Sequence, residues 1–336
     1  MWDIIGHSKA VGILDRAVKQ DKLSHAYLIV GPSGVGKARL ALGLAQALNC
    51  TGDDKPCGAC GQCARIARGT HPDVQVVRVA SERGQQGKAW TVIPIERVRE
   101  ILREASLKPF EGRSRVYIFD GVEMVSEDGA NALLKTLEEP PDQVVFILLT
   151  PEEGRLLTTI HSRCQRIELR PVPWPILSEA LEQRFEVERE LAVELARLSG
   201  GCPGVAIGMV NDPALRTAMS EKLDAIEKVV GAGLEERFDY AYGLAGTFSR
   251  DRESVRRELD LWLEWWRDVM LTGQDLRGSV VHLSRLDAIA AAARAVSSAQ
   301  SAAAVAAVST AWNNLERNVQ PRLALESLML AIPRVR

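Results

Sequence analysis

Residues 26–30 (Ala-Tyr-Leu-Ile-Val) form an unbroken apolar run that ends at Gly31, and residues 38–48 follow with Leu40, Leu44 and Leu48 at helical spacing. The same change of period recurs along the first half of the chain. Residues 74–79 read as a strand, 95–105 as a helix, 116–119 as a strand closing on Asp120, 144–149 as a fourth strand and 167–169 as a fifth. Between the third and fourth strands, Ser126 suits an N-cap, Glu127 and Asp128 suit the positive end of a helix, and Pro140-Pro141 stop that helix. Residues 81–90 are polar and contain glycine, which predicts a loop. Strand, helix and strand in this rhythm predict an α/β fold, a parallel sheet with helices on both faces.

The run Pro171-Val172-Pro173-Trp174-Pro175 marks a boundary, and beyond it nearly everything is helical. Residues 177–200 predict two short helices, Gly200-Gly201-Cys202-Pro203-Gly204 a second break, and the chain from Pro213 onward about five longer amphipathic helices. Trp262, Trp265 and Trp266 fall on one helix face, a pattern that fits core or subunit packing far better than a platform for stacking bases. No segment repeats with a fixed period.

A length of 336 residues suggests two domains and allows three. With 46% apolar and 26% charged residues the chain is an ordinary globular one, not a disordered one. The 42 basic and 44 acidic residues leave a formal charge of −2, which excludes a strong field for nucleic acid over the whole surface. A DNA contact then belongs to a local patch or to one share of an assembly. The longest apolar stretch, 288–312, is interrupted by Arg294 and Gln300, so no membrane span is expected. Met1-Trp2-Asp3-Ile4 lacks the basic start of a signal peptide, so a reducing, cytoplasmic setting is expected, where clustered cysteines serve metal or redox chemistry.

Gly31-Pro32-Ser33-Gly34-Val35-Gly36-Lys37 is G-x-x-x-x-G-K between a strand and a helix. Backbone N–H groups of such a loop converge on phosphate, the helix N-terminus adds positive potential, and Lys37 reaches the β and γ oxygens. The next residue should be Ser or Thr, a Mg²⁺ ligand, but is Ala38. Asp120 ends the third strand as a metal-holding acid would, yet it is followed by Gly121 instead of a glutamate, and Glu123 stands two positions further on. The site therefore keeps its nucleotide-binding residues Gly31, Gly34, Val35, Gly36, Lys37, Ala38 and Asp120, while Mg²⁺ coordination and water activation each lose a group. ATP or ADP binding stays open; hydrolysis is expected to be weak or absent.

Cys50, Cys57, Cys60 and Cys63 have the spacing C-x6-C-x2-C-x2-C, which suits a closed tetrahedral shell around a structural Zn²⁺, with Lys55 and Arg65 expected to temper its charge. A redox C-x-x-C is the competing reading, and it leaves two of the cysteines without a task. Cys164 and Cys202 read as small buried hydrophobes. Taken by itself, Arg163 reads as a surface arginine in a salt bridge, and His161 is assigned no role.

The combination resembles the delta-prime-type subunits of bacterial replicative clamp loaders, within the AAA+ family. The resemblance rests on the P-loop 31–37, the cysteine module 50–63, His71-Pro72-Asp73, the eleven residues 131–141 ending Glu-Glu-Pro-Pro, and Ser162-Arg163-Cys164. It spans roughly residues 1–205, with the remainder matching in length and helical type. It implies an AAA+ P-loop domain over 1–168 carrying the zinc module, a small helical lid over 169–208 and an all-α collar over 209–336. It also implies that Arg163 is an arginine finger, acting in trans on the ATP of a neighbouring subunit. Motor (tau/gamma) subunits keep the hydroxyl, the acidic pair and an arginine in a Gly-Ser-x-Arg context, where this chain has Ala38, Gly121 and Gly204. Implied partners are the motor and delta subunits, the sliding clamp and primer-template DNA, with Arg99, and Arg97 and Arg103 beside it, on the helix that faces DNA. An active motor ATPase and a scaffold or DNA-binding protein outside replication are the alternatives.

Overall fold

A computed structural model describes residues 2–79 and 92–335; the expected loop at 81–90 lies outside the described residues. The chain divides into two compact units, Met1–Arg184 with Gly201–Val205, and Phe185–Gly200 with Ala206–Arg336.

The first unit contains a five-stranded sheet of β1 (Ala26–Val30), β2 (Val74–Val77), β3 (Arg115–Asp120), β4 (Val144–Thr150) and β5 (Gln165–Glu168) in the order β2-β3-β4-β1-β5. Every pairing is parallel. Its helices are α1 (Ser8–Lys19), α2 (Lys37–Asn49), α3 (Gly61–Arg68), α4 (Ile95–Ala105), α5 (Glu127–Glu138), α6 (Thr158–His161) and α7 (Trp174–Phe185), the last ending one residue into the second unit. Tyr27, Ile29, Ile118 and Ile147 turn to one face and pack with Leu40 and Leu44 of α2. Leu28, Phe119, Phe146 and Leu148 turn to the other and pack with Val98 of α4 and Leu133 of α5. Burial of both faces is what made the strands continuous apolar runs. Ser126 caps α5 by accepting the N–H of Gly129, as its position predicts.

Beyond residue 185 the chain is helical: α8 (Arg189–Leu198), α9 (Pro203–Asn211), α10 (Pro213–Gly231), α11 (Leu234–Phe248), α12 (Arg252–Gly273), α13 (Leu286–Ala295), α14 (Ser298–Glu316) and α15 (Pro321–Ala331). From Pro213 there are six α-helices among the described residues, against about five expected, because two short turns at Arg277–Ser279 and Leu283–Arg285 separate α12 from α13. Trp262, Trp265 and Trp266 are fully buried in this core, as packing residues should be. Asp268, also buried, accepts the backbone N–H of Val281 and of His282 and meets His282 Nδ1 at 2.9 Å, tying the connecting turns to α12. No helix among the described residues is long and apolar enough to cross a membrane.

Candidate functional site

In an open parallel sheet, ligands bind beyond the carboxyl ends of the strands. The carboxyl ends of β1, β3 and β4 deliver Gly31–Lys37, Asp120 and Thr150 to one edge, with Val30 opposite Thr150 and Asp120 opposite Leu149. Lys37 opens α2 and is 9% exposed. Its Nζ donates to the carbonyls of Gly31 at 2.6 Å and Pro32 at 3.0 Å. Burial draws its pKa down, while the nearby Asp120 and Glu123 carboxylates oppose that shift. A side chain at Gly31 would strike the Leu169 carbonyl at 2.3 Å, so the loop's sharp exit from β1 requires glycine. Ala38 places a methyl group directly after the lysine. Arg78 donates to Asp120 at 2.8 Å. Gly121 has φ +95°, a conformation in which a glutamate would be strained.

Three contacts at this edge escape the sequence pattern. His7 Nε2 lies 2.9 Å from the Val35 carbonyl. The Gly204 N–H donates to the Gly34 carbonyl at 2.7 Å, and the Val205 side chain occupies the space beside Gly34. Thr150 is buried, and its hydroxyl accepts the N–H of Glu152. A hydroxyl at the end of an otherwise apolar strand was the available signal for Thr150; the other two depend on long-range folding.

The four cysteine sulfurs lie within 4.8 Å of one another. Tetrahedral zinc–thiolate bonds near 2.3 Å would space them roughly 3.8 Å apart, so this donor set fits a four-thiolate metal site. The N–H groups of Cys57, Cys60 and Cys63 donate to the sulfurs of Cys50, Cys57 and Cys60 respectively. Burial works to raise the Cys60 thiol, but the Cys63 and Thr51 N–H groups and the Thr51 hydroxyl outweigh it and bring its pKa to about 5. Burial pushes Cys63 up to about 12. Arg65 is engaged elsewhere, by Glu111 at 2.8 Å and Gln62 at 3.0 Å, and not by the sulfurs. The buried Asp73 carboxylate receives the N–H groups of Phe110, Glu111 and Gly112, which fixes the loop beside the module.

Arg163 stands just before β5, whose register pairs Tyr27 with Gln165 and Val30 with Glu168. It therefore belongs to the amino-end edge of the sheet, opposite the P-loop. At about 3.3 Å per residue, the four residues of β5 alone set the two edges roughly 13 Å apart. Nη1 donates to the Thr159 carbonyl at 2.9 Å and to Ser162 Oγ at 3.0 Å, and Nη2 donates to Glu138. His161 Nδ1 lies 3.2 Å from Glu153. Burial raises the Cys164 thiol to about 12, and Cys202 is buried against the sheet. On α4, Val98, Ile101 and Ala105 are buried while Arg99 and Arg103 share the exposed side; Arg97 pairs with Glu100 at 2.6 Å.

The delta-prime subunit of DNA polymerase III from Bacillus subtilis is 29% identical over 96% of this chain and 95% of its own. The tau subunit from the same organism is 34% identical over 65% of this chain and 36% of its own, and the Escherichia coli tau subunit 36% identical over 55% and 28%. The chain thus spans about a third of the tau relatives' length. A solved gamma-subunit-related protein of Thermotoga maritima aligns with 97% of this chain and 99% of its own at 16% identity and a TM-score of 0.44. The family described as "DNA polymerase III, delta subunit" matches residues 6–173, half of the chain, including the cradle, the cysteine module and the sheet, and to that family the chain belongs.

Proposed function

We propose that the chain is a delta-prime-type subunit of a replicative clamp loader, with a hydrolytically impaired site of its own and an arginine finger supplied to its neighbour. The observation that carries this reading is the placement of Arg163 on the sheet edge away from its own P-loop. A cation at the opposite edge of the sheet from the cradle of its own chain serves phosphate chemistry best when another subunit brings a nucleotide to it. Its fixed charge there offsets the charge that develops on the transferred phosphoryl group.

The chain's own pocket fits the same division of labour. Lys37 and the loop amides remain to hold phosphate, Ala38 supplies no hydroxyl, and Gly121 supplies no carboxylate to orient water. Cys50, Cys57, Cys60 and Cys63 would hold a structural zinc ion, which leaves no open coordination position for catalysis. In this reading residues 1–168 form the nucleotide-type domain, 169–208 the lid and 209–336 the ring-forming collar. The partners are motor and delta subunits, the sliding clamp and primer-template DNA, with Arg99 on the DNA side, in the cytoplasm.

Reconstitution tests it. With motor and delta subunits, the parent chain should support ATP turnover, and Arg163→Ala should assemble but lose most of it. Unchanged turnover in that variant removes the finger. The second reading, an active motor, draws on the 34% identity to tau. Vigorous ATP hydrolysis by the purified chain would establish it instead.

A further inference from the structure

The finger reading leaves open what holds Arg163 before a neighbour arrives. The guanidinium has five N–H groups. Both hydrogens of Nη1 are committed, to the Thr159 carbonyl and to Ser162 Oγ at the end of α6. These two bonds fix where the guanidinium sits. The Glu138 carboxylate, 25 positions earlier at the end of α5, takes Nη2. Glu138 holds the Nη2 end of the group, which those two bonds do not engage, and puts a negative charge on it.

We propose that Glu138 is a positioning residue for Arg163, holding the guanidinium tip inside its own chain until a phosphate on the neighbouring subunit competes for it. The inference rests on the trans-acting finger described above. The pair is partly solvated, Arg163 being 28% and Glu138 49% exposed, so water screens it and the hold is weak. A polyphosphate carries more charge than one carboxylate and matches the guanidinium fork with paired oxygens. Subunit docking can therefore strip Arg163 from Glu138, whereas a loosely associated neighbour meets a neutralised tip. No covalent step is involved; one acceptor replaces another on Nη2.

The test uses the loader reconstituted with motor and delta subunits, with ATP turnover measured at subsaturating ATP without clamp or DNA. Glu138→Gln and Glu138→Ala should each raise turnover about two- to five-fold, the range of equilibrium shift that a solvated ion pair commands. The gain should appear in the apparent KM for ATP more than in kcat, and it should vanish in an Arg163→Ala background. Glu139→Gln alters the next exposed carboxylate and should leave turnover at the parent level. If Arg163→Ala lowers turnover but neither Glu138 variant raises it, the hold is refuted and the finger stands. A gain of equal size from Glu139→Gln, or one that survives Arg163→Ala, also overturns the inference. If Arg163→Ala changes nothing, the finger itself is lost.

Discussion

Arg237 on α11 is 4% exposed, and each of its five N–H groups meets a backbone carbonyl. Nε donates to Val229 and Nη2 to Val230 and Pro333, while Nη1 donates to Met329 and Ile332. These carbonyls lie at or just beyond the C-terminal ends of α10 and α15, where the helix dipoles favour a cation. Burial, with Arg334 nearby, draws the guanidinium pKa down. Arg237→Met keeps much of the length and removes every donor. Val229 and Val230 retain the N–H groups of Ala232 and Val335, so the loss falls on Met329, Ile332 and Pro333. A buried acceptor left unpaired costs about 1–3 kcal/mol, while removing a buried cation returns part of its desolvation. The net expectation is a loss of about 3 kcal/mol, equivalent to a fall in Tm of about 6–12 °C for a unit of this size. Trp262, Trp265 and Trp266 sit in the same core, so tryptophan fluorescence during urea unfolding of the full chain reports the change. Arg237→Lys, with one charge and at most three donors, should fall between parent and Met variant. A Met variant that unfolds at the parent's urea midpoint would show that the five bonds contribute nothing net.

Two further outcomes follow from the same structure. Metal analysis of the purified chain should find one zinc ion per chain, and Cys60→Ser should lower both zinc content and stability; a zinc-free parent chain rejects the site. Burial pushes Glu264 up to about 7, with Asp268 and Asp260 adding to the rise and His282 and Arg267 opposing it. Since the folded state then holds a proton that the unfolded chain releases near its ordinary 4.5, stability should decline by about 1–3 kcal/mol as pH rises from 4.5 to 7. Glu264→Gln should flatten that part of the stability-against-pH curve, and an unchanged slope refutes the assignment.

The first half of the fold was legible because its strands are buried on both faces. Nothing polar interrupts 26–30 or 144–149, and the helix at 95–105 ends where its apolar spacing ends. The last helices were harder to count because the residues between α12 and α13 owe their shape to Asp268, a buried carboxylate on the Trp265 face of α12 whose charge argues for solvent. Arg237 was hidden for the same reason. Three of its five partners are backbone carbonyls more than ninety residues away, and main-chain acceptors leave no mark on the side-chain pattern.

At the candidate site, the sequence named the residues of the loop but not the contacts that commit them. The G-x-x-x-x-G-K spacing places Lys37 at the start of α2, yet whether its ammonium is free or turned onto Gly31 and Pro32 depends on how the loop closes. Likewise, Gly204 reads as a missing arginine, while its N–H is one of the contacts that hold the P-loop backbone, through the Gly34 carbonyl. A Cβ at residue 204 would stand 2.9 Å from that same carbonyl, so an arginine could not simply be restored there. The departures at 121 and 204 thus share a physical cause: Gly121 sits at a positive φ and Gly204 against a carbonyl, and in both places the backbone uses the room a side chain would need. A side chain introduced at either position must therefore displace backbone before it can reach the site.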